Sequence, residues 1–125
     1  MGTQYAILGG AMTWVSERNL VAAISNAGGF GVIACGAMEP ERLREEIRAT
    51  RELTDKPFGV NLITMHPLLS GLITVCHDEQ VEHVVLAGGI PPRVAMRQVK
   101  DGGAKLICFT PALILARKLV RDGAD

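Results

Sequence analysis

A parallel α/β sheet packed with helices is the fold class this sequence predicts, and three observations carry it. Short apolar runs alternate with amphipathic stretches five times along the 125 residues. The strand-like runs are apolar at consecutive positions, so both of their faces are covered, as in a parallel sheet with helices laid on it. Their starts lie roughly 22 to 28 residues apart, about the length of one strand–helix unit. No linker or low-complexity segment divides the chain, so residues 1–125 read as one domain.

Each element has its own local signal. Tyr5-Ala6-Ile7-Leu8 is the first strand-like run, ended by Gly9-Gly10. Ser16 can cap a helix carrying Leu20, Ala23, Ile24 and Ala27 at helical spacing, which Gly28-Gly29 stops. Phe30 to Cys35 forms the second run. Pro40 suits a first helical position, and Leu43 with Ile47 marks the buried face of the second helix. Phe58-Gly59-Val60-Asn61-Leu62 is the third strand, and Pro67 opens a helix through Leu68, Leu69, Leu72, Ile73 and Val75. His83 to Ala87 is the fourth strand, ended by Gly88-Gly89. Pro91-Pro92 starts the fourth helix and Gly102-Gly103 ends it. Lys105 to Phe109 is the fifth strand. Thr110-Pro111 caps a fifth helix running through Leu113, Ile114, Leu119 and Val120.

Two architectures fit this alternation. An open doubly wound sheet would be complete with five strands. A (β/α)8 barrel typically needs about 250 residues, so this chain would be about its first five units of eight. Periodicity alone does not choose between them.

Composition narrows the function classes. Thirteen basic and thirteen acidic residues cancel, so the chain carries no electrostatic footprint for nucleic acid or an anionic membrane. No apolar run reaches the ~20 residues of a membrane span, and the N-terminus lacks the build of a signal peptide. Cys35, Cys76 and Cys108 lie far apart and form no Cys-x-x-Cys pair, which favours a reducing cytoplasm over a disulfide scaffold or a zinc site. No His–carboxylate spacing resembles a metal site. The charged stretch from Glu39 to Glu52 reads as the solvated face of the second helix.

The candidate functional residues sit at the C-terminal ends of the strands, the working end of either architecture. Gly9-Gly10-Ala11-Met12-Thr13-Trp14 follows the first strand. Its small residues let the backbone approach a flat ligand and offer it bare N–H groups. The alternative is a strained connection with Trp14 as a hydrophobic anchor. Asn61 interrupts an apolar strand, and a buried amide there needs partners. It can bond local backbone, or the edge of a heteroaromatic ligand or a phosphate. His66 lies at the same end as a helix cap, a proton donor or an exposed residue. His77 faces a helix C-terminus and His83 starts the fourth strand at the opposite end. Gly29-Phe30-Gly31-Val32-Ile33-Ala34 matches a dinucleotide G-x-G-x-x-A pattern, but its glycines follow a helix and open a strand, the reverse of what that site needs. A helix stop and tight turn is the better account. No Ser or Cys sits in a nucleophile elbow.

Three of these segments resemble one known family in the right order. Ile7-Leu8-Gly9-Gly10-Ala11-Met12-Thr13-Trp14-Val15-Ser16 resembles the opening G-G-M-x-W-V-S/A segment of nitronate monooxygenases, formerly called 2-nitropropane dioxygenases. Ser25-Asn26-Ala27-Gly28-Gly29-Phe30-Gly31 resembles their S-N-A-G-G-L/F-G turn, and Leu53 to Asn61 resembles their L-T-D-K-P-F-G-V-N segment. Flavin-dependent enoyl-ACP reductases share the pattern.

The resemblance implies an FMN-binding (β/α)8 barrel, of which this chain is similar to the first five units. It implies an oxidoreductase in which the flavin takes electrons from an alkyl nitronate and dioxygen reoxidises it. The enoyl-ACP reductase is the alternative, and a non-catalytic fragment or binding module is a third reading. The implied cofactor-binding residues are Gly10, Ala11, Met12 and Asn61, with Gly88 at the end of the fourth strand. Ala11 is an extra residue relative to the family's turn. The family's A-G-G-H segment, which brings its catalytic histidine, is expected just beyond Asp125, so no catalytic residue is named here. The implied partners are a small-molecule substrate and dioxygen. An incomplete barrel would expose strand edges and an apolar inner face, so self-association or a complementary chain is expected.

Overall fold

The computed structural model describes all 125 residues, Met1–Asp125. Five strands and five helices alternate: β1 (Leu8–Gly9), α1 (Arg18–Asn26), β2 (Phe30–Ala34), α2 (Pro40–Leu53), β3 (Phe58–Ile63), α3 (Leu69–Asp78), β4 (His83–Ala87), α4 (Arg93–Asp101), β5 (Lys105–Cys108) and α5 (Leu113–Arg121). All four strand pairings are parallel, in the order β1-β2-β3-β4-β5.

That order decides the architecture. A doubly wound sheet reverses direction at a switch point and carries helices on both faces. Here every strand is followed by its next neighbour, and the helices lie on one face only. Ile33, Val60, Leu62, Val84, Leu86 and Leu106 point to that face and form one buried core with Leu43 and Ile47 of α2, Leu72 and Ile73 of α3, and Met96 of α4. The opposite face carries the small cluster Phe30, Val32 and Val85, flanked by Leu8, Ala11 and Ile107. The sheet is therefore a curled half-barrel, with helices outside and this second cluster inside.

Side-chain size sets how closely the layers meet. A Cβ at Gly31 would lie 2.3 Å from the Val21 carbonyl oxygen, so α1 rests directly on β2. Gly28 follows the α1 C-terminus at φ 89°, a conformation that favours glycine, and Gly29 N–H returns to Ile24 O at 3.0 Å. The G-x-G-x-x-A match is thus a helix stop followed by a close helix–strand contact.

Four expectations shift. β1 is only two residues long. Tyr5 N–H and Ile7 O bond to the turn before β2 and to its first residue, at 2.9 and 2.8 Å, without continuing the ladder. Glu17, not Ser16, caps α1, its carboxylate accepting from Asn19 N and Leu20 N. Helix α3 starts at Leu69, two residues past Pro67, because His66 N–H closes a turn onto Ile63 O first. Helix α5 is capped at Ala112, whose N–H reaches back to the Thr110 hydroxyl.

The second helix is less solvated than its charge suggests. Glu46 is fully buried, on the stripe of Leu43, Ile47 and Thr50 that faces the core. Arg44 and Arg48 both grip Glu79, at 2.9 and 2.8 Å, and Arg51 donates to the Glu79 and Gln80 carbonyls. This arginine row completes the C-terminal end of α3, where unpaired carbonyls favour cations.

The three cysteines are unpaired. Burial pushes the thiols of Cys35 and Cys76 up to about 12. At pH 8 that leaves roughly one part in ten thousand as the reactive thiolate, against a fifth or more for a free thiol. The expected outcome with a disulfide reagent at pH 8 is near silence from Cys35 and Cys76 in the folded chain and titration of all three in denaturant. Rapid labelling of Cys35 in the folded chain would contradict the packing described. No helix is long and apolar enough to cross a membrane.

Candidate functional site

The loops after β1, β3 and β4 meet the inner side of the sheet at the C-terminal ends of the strands, and the candidate residues lie on them. After β1 the backbone leaves the ladder at Gly10, and a Cβ built there would find nothing within 4 Å. The Gly10 and Ala11 N–H groups have no acceptor within the chain. Ala11 packs against the inner cluster of Phe30, Val32 and Val85, so its backbone lies over that face.

Met12 differs from its neighbours. Its N–H donates to the Ser16 hydroxyl at 2.9 Å, and its carbonyl accepts from Val15 N and Ser16 N at 3.0 and 2.8 Å. Only its half-exposed side chain remains for a ligand. Trp14 is no anchor. It is 87% exposed and sits at φ 68°, a strained backbone position for a large side chain. Thr13, also exposed, rests on Gly36, where a Cβ would come within 2.6 Å of its Oγ1.

Asn61 is 7% exposed as a residue, and its side-chain amide makes no hydrogen bond within the chain and keeps its polar atoms in contact with solvent. Its neighbours Val60 and Leu62 point into the helix-covered core, so by alternation Asn61 points to the inner face. Its backbone carbonyl is taken by Cys35 N–H at 3.1 Å. Local backbone therefore does not satisfy the amide, although it was one of the two options the sequence left open. Asn61 is the ladder partner of Ala34 on β2 and Val85 on β4.

Gly88 follows β4 at φ 86°, and a Cβ there would lie 3.1 Å from Ile63 Cγ2. Glycine is required at this position by backbone conformation and by the crowding of β3. His66 Nδ1 accepts from Leu68 N–H at 3.1 Å, a bond within the turn before α3 that does not cap the helix. His83 lies at the N-terminal end of the inner face, edge-on to Phe30 with ring centroids 5.0 Å apart, and neither ring nitrogen has a partner. Burial pushes its pKa down, so the ring is neutral at physiological pH. No three metal-ligating side chains come together.

A buried carboxylate fixes the loop from behind. Glu46 accepts from Arg18 N–H at 2.6 Å and from the Arg18 guanidinium at 3.2 and 2.6 Å, with Arg42 3.5 Å away. Burial pushes its pKa up, but the Arg18 hydrogen bonds outweigh this and hold it below the usual carboxylate range. Arg18 begins α1, so Glu46 pins to α2 the helix that follows the turn.

The model of the nitronate monooxygenase family matches residues 1–71, more than half of the chain. The chain belongs to this family. Among curated relatives, the nitronate monooxygenase of Pseudomonas aeruginosa is 48% identical over 67 residues, 54% of this chain and 19% of its own length. A (3aS,4S,5R,7aS)-5-hydroxy-7a-methyl-1-oxo-octahydro-1H-indene-4-carboxyl-CoA dehydrogenase of Rhodococcus jostii is 33% identical over the whole chain, covering 35% of that protein. Among solved structures, FabK from Thermotoga maritima superposes with a TM-score of 0.93 at 42% identity, over 98% of this chain and 39% of that one. The chain thus spans about a third of the length of the curated relatives it matches throughout. Its five units match the first units of the TIM barrel in such structures.

Two of the nitronate monooxygenase motifs turn out to brace each other, far from the candidate residues. The Ser25 hydroxyl donates to Pro57 O at 3.0 Å, Asn26 Nδ2 donates to Leu53 O at 3.0 Å, and Thr54 Oγ1 donates to Asn26 Oδ1 at 2.6 Å. The S-N-A-G-G turn is thereby sewn to the L-T-D-K-P segment at the N-terminal end of the strands. Sequence reasoning missed two contributors to the site. In the sequence Ser16 has the look of a helix cap, and Glu46 is hidden within a charged run.

Proposed function

We propose that this chain supplies one wall of an FMN site in an oxidoreductase of the nitronate monooxygenase type. The observation that carries the reading is Asn61, a residue more than nine-tenths buried on the inner face whose amide has no partner in the chain and keeps its polar atoms in contact with solvent. An amide with no partner in the chain and with its polar atoms still reachable can pair with an incoming ligand without giving up an internal hydrogen bond. The free N–H groups of Gly10 and Ala11 and the open space above Gly10 suit the edge and face of a flat, acceptor-rich ring. Met12 would add a side-chain contact, and Gly88 would keep the end of β4 free of a side chain. When bound, FMN would supply two-electron redox chemistry, and the residues named would hold its ring and exclude water.

The substrate proposed is an alkyl nitronate, with dioxygen as the acceptor. A second reading, reduction of an enoyl thioester with a nicotinamide cofactor, is favoured by one observation. The relatives aligned along the whole chain are named for a carboxyl-CoA substrate. Oxygen uptake with an alkyl nitronate supports the first reading, and NADH consumption with an enoyl thioester supports the second. The primary test is a flavin titration followed by absorbance near 450 nm. Absence of saturable FMN uptake would sink the flavin reading.

The reading extends to assembly. β1 and β5 each pair on one side only, and Ile7, Phe109, Leu113 and Ile114 are exposed. The isolated chain is expected to self-associate or to pair with a complementary chain, which sedimentation would report. A monodisperse monomer would contradict it. The unpaired thiols fit a reducing cytoplasm.

A further inference from the structure

Ser16 connects the two halves of this wall, and we infer that it is a positioning residue for the flavin, an inference that rests on the function proposed above. Ser16 is 4% exposed and touches the turn at three points. Its hydroxyl oxygen accepts from Met12 N–H at 2.9 Å and donates to Gly10 O at 3.3 Å, and its own N–H donates to Met12 O at 2.8 Å. These bonds close the turn around Ala11.

The chemistry of a hydroxyl makes this division of labour specific. It offers one donor and two acceptor sites, so it can take the Met12 N–H while giving its proton to the Gly10 carbonyl. Both of those groups are thereby turned inward and satisfied. The Gly10 and Ala11 N–H groups are left free for a ligand. Without the hydroxyl, Met12 N–H becomes a third unsatisfied donor and the Gly10 peptide loses its restraint, so the direction of the free N–H groups is no longer set.

The fourth contact ties the turn to Asn61. The Ser16 carbonyl accepts from Ala34 N–H at 3.0 Å, and Ala34 is the ladder partner of Asn61. One residue thus fixes the turn donors in relation to the unpartnered Asn61 amide two strands away. A ligand that uses both sets of groups gains from their being held in register before it arrives.

The test compares the unaltered chain with Ser16→Ala and Ser16→Thr by FMN titration, flavin absorbance and amide hydrogen exchange. Ser16→Ala is expected to speed exchange at Met12 about tenfold or more while α1 amides such as Ile24 are unchanged. It is also expected to weaken FMN binding about tenfold and to shift the flavin absorbance band. Ser16→Thr, which keeps the hydroxyl, restores Met12 protection and FMN affinity where it folds. A merely structural serine would lower the melting temperature and leave the affinity and spectrum of the folded variant alone, and that result overturns the inference. Fast Met12 exchange in the unaltered chain overturns it as well, because the clasp would not exist. If the unaltered chain takes up no FMN, the flavin reading fails and the positioning role fails with it. If that chain binds FMN and folded Ser16→Ala binds equally, only the role of Ser16 is lost.

Discussion

Glu46→Ala is expected to lower folding stability by about 3 kcal/mol, measured by urea unfolding of the isolated chain. The carboxylate is fully buried and takes three hydrogen bonds from Arg18, one from the backbone at the first residue of α1 and two from the guanidinium. Removing it orphans that N–H and takes away the countercharge. Breaking a buried ion pair costs roughly 3–5 kcal/mol, and the low end applies here because the Arg18 side chain is 31% exposed and can turn its charge to water. Glu46→Gln keeps the shape and an acceptor oxygen, so it should cost less than half as much. The pH dependence has a definite sign. Glu46 has its folded pKa depressed below the unfolded value of about 4.3, so its contribution is complete above that value and is lost as pH falls through the folded pKa. The difference between the original chain and Glu46→Gln should therefore shrink in acid and stay flat from pH 6 to 8. A stability loss under 1 kcal/mol for Glu46→Ala would show that α1 and α2 do not depend on this clamp.

Glu46 also shows where sequence reading stops. The helical stripe of Leu43 and Ile47 was legible, and that stripe passes through position 46. A glutamate on it reads as solvated, because its partner Arg18 is 28 positions away and no local pattern links them. The strand–helix alternation was legible for the opposite reason, since apolar runs, glycine stops and N-terminal prolines act within a few residues. The choice between an open sheet and a barrel depended on which strands pair and which face the helices cover, both non-local facts. Likewise the turn at Gly10 was visible as a cluster of small residues, but not that Ser16 would take the Met12 N–H and leave only Gly10 and Ala11 free. The family motifs pointed to a site and to a brace with equal strength. Only the hydrogen bonds among Ser25, Asn26, Thr54 and Pro57 reveal that much of this resemblance holds the far end of the barrel together.

Asn61→Leu is expected to lower flavin affinity while leaving the stability of the ligand-free chain nearly unchanged, and that separation distinguishes a ligand-binding amide from a structural one. In the ligand-free chain the amide is unpartnered, keeps its polar atoms in contact with solvent and lies on the face that carries Phe30, Val32 and Val85. Replacing it with an apolar side chain of similar size breaks no internal hydrogen bond, so the stability of the ligand-free chain should change by less than about 0.5 kcal/mol. The same change removes the hydrogen bonds the amide would make to FMN and leaves the ligand's polar edge facing a methyl group. A site built to hydrogen-bond a ligand rejects a mismatch strongly, so the FMN dissociation constant should rise at least about tenfold. Unfolding without ligand and a flavin titration read the two effects separately. If Asn61→Leu instead destabilises the ligand-free chain by more than about 1 kcal/mol, the amide has a structural partner and the site loses its main support. If stability and affinity are both unchanged, the flavin lies elsewhere on the sheet, and Gly10 and Ala11 must be tested without Asn61.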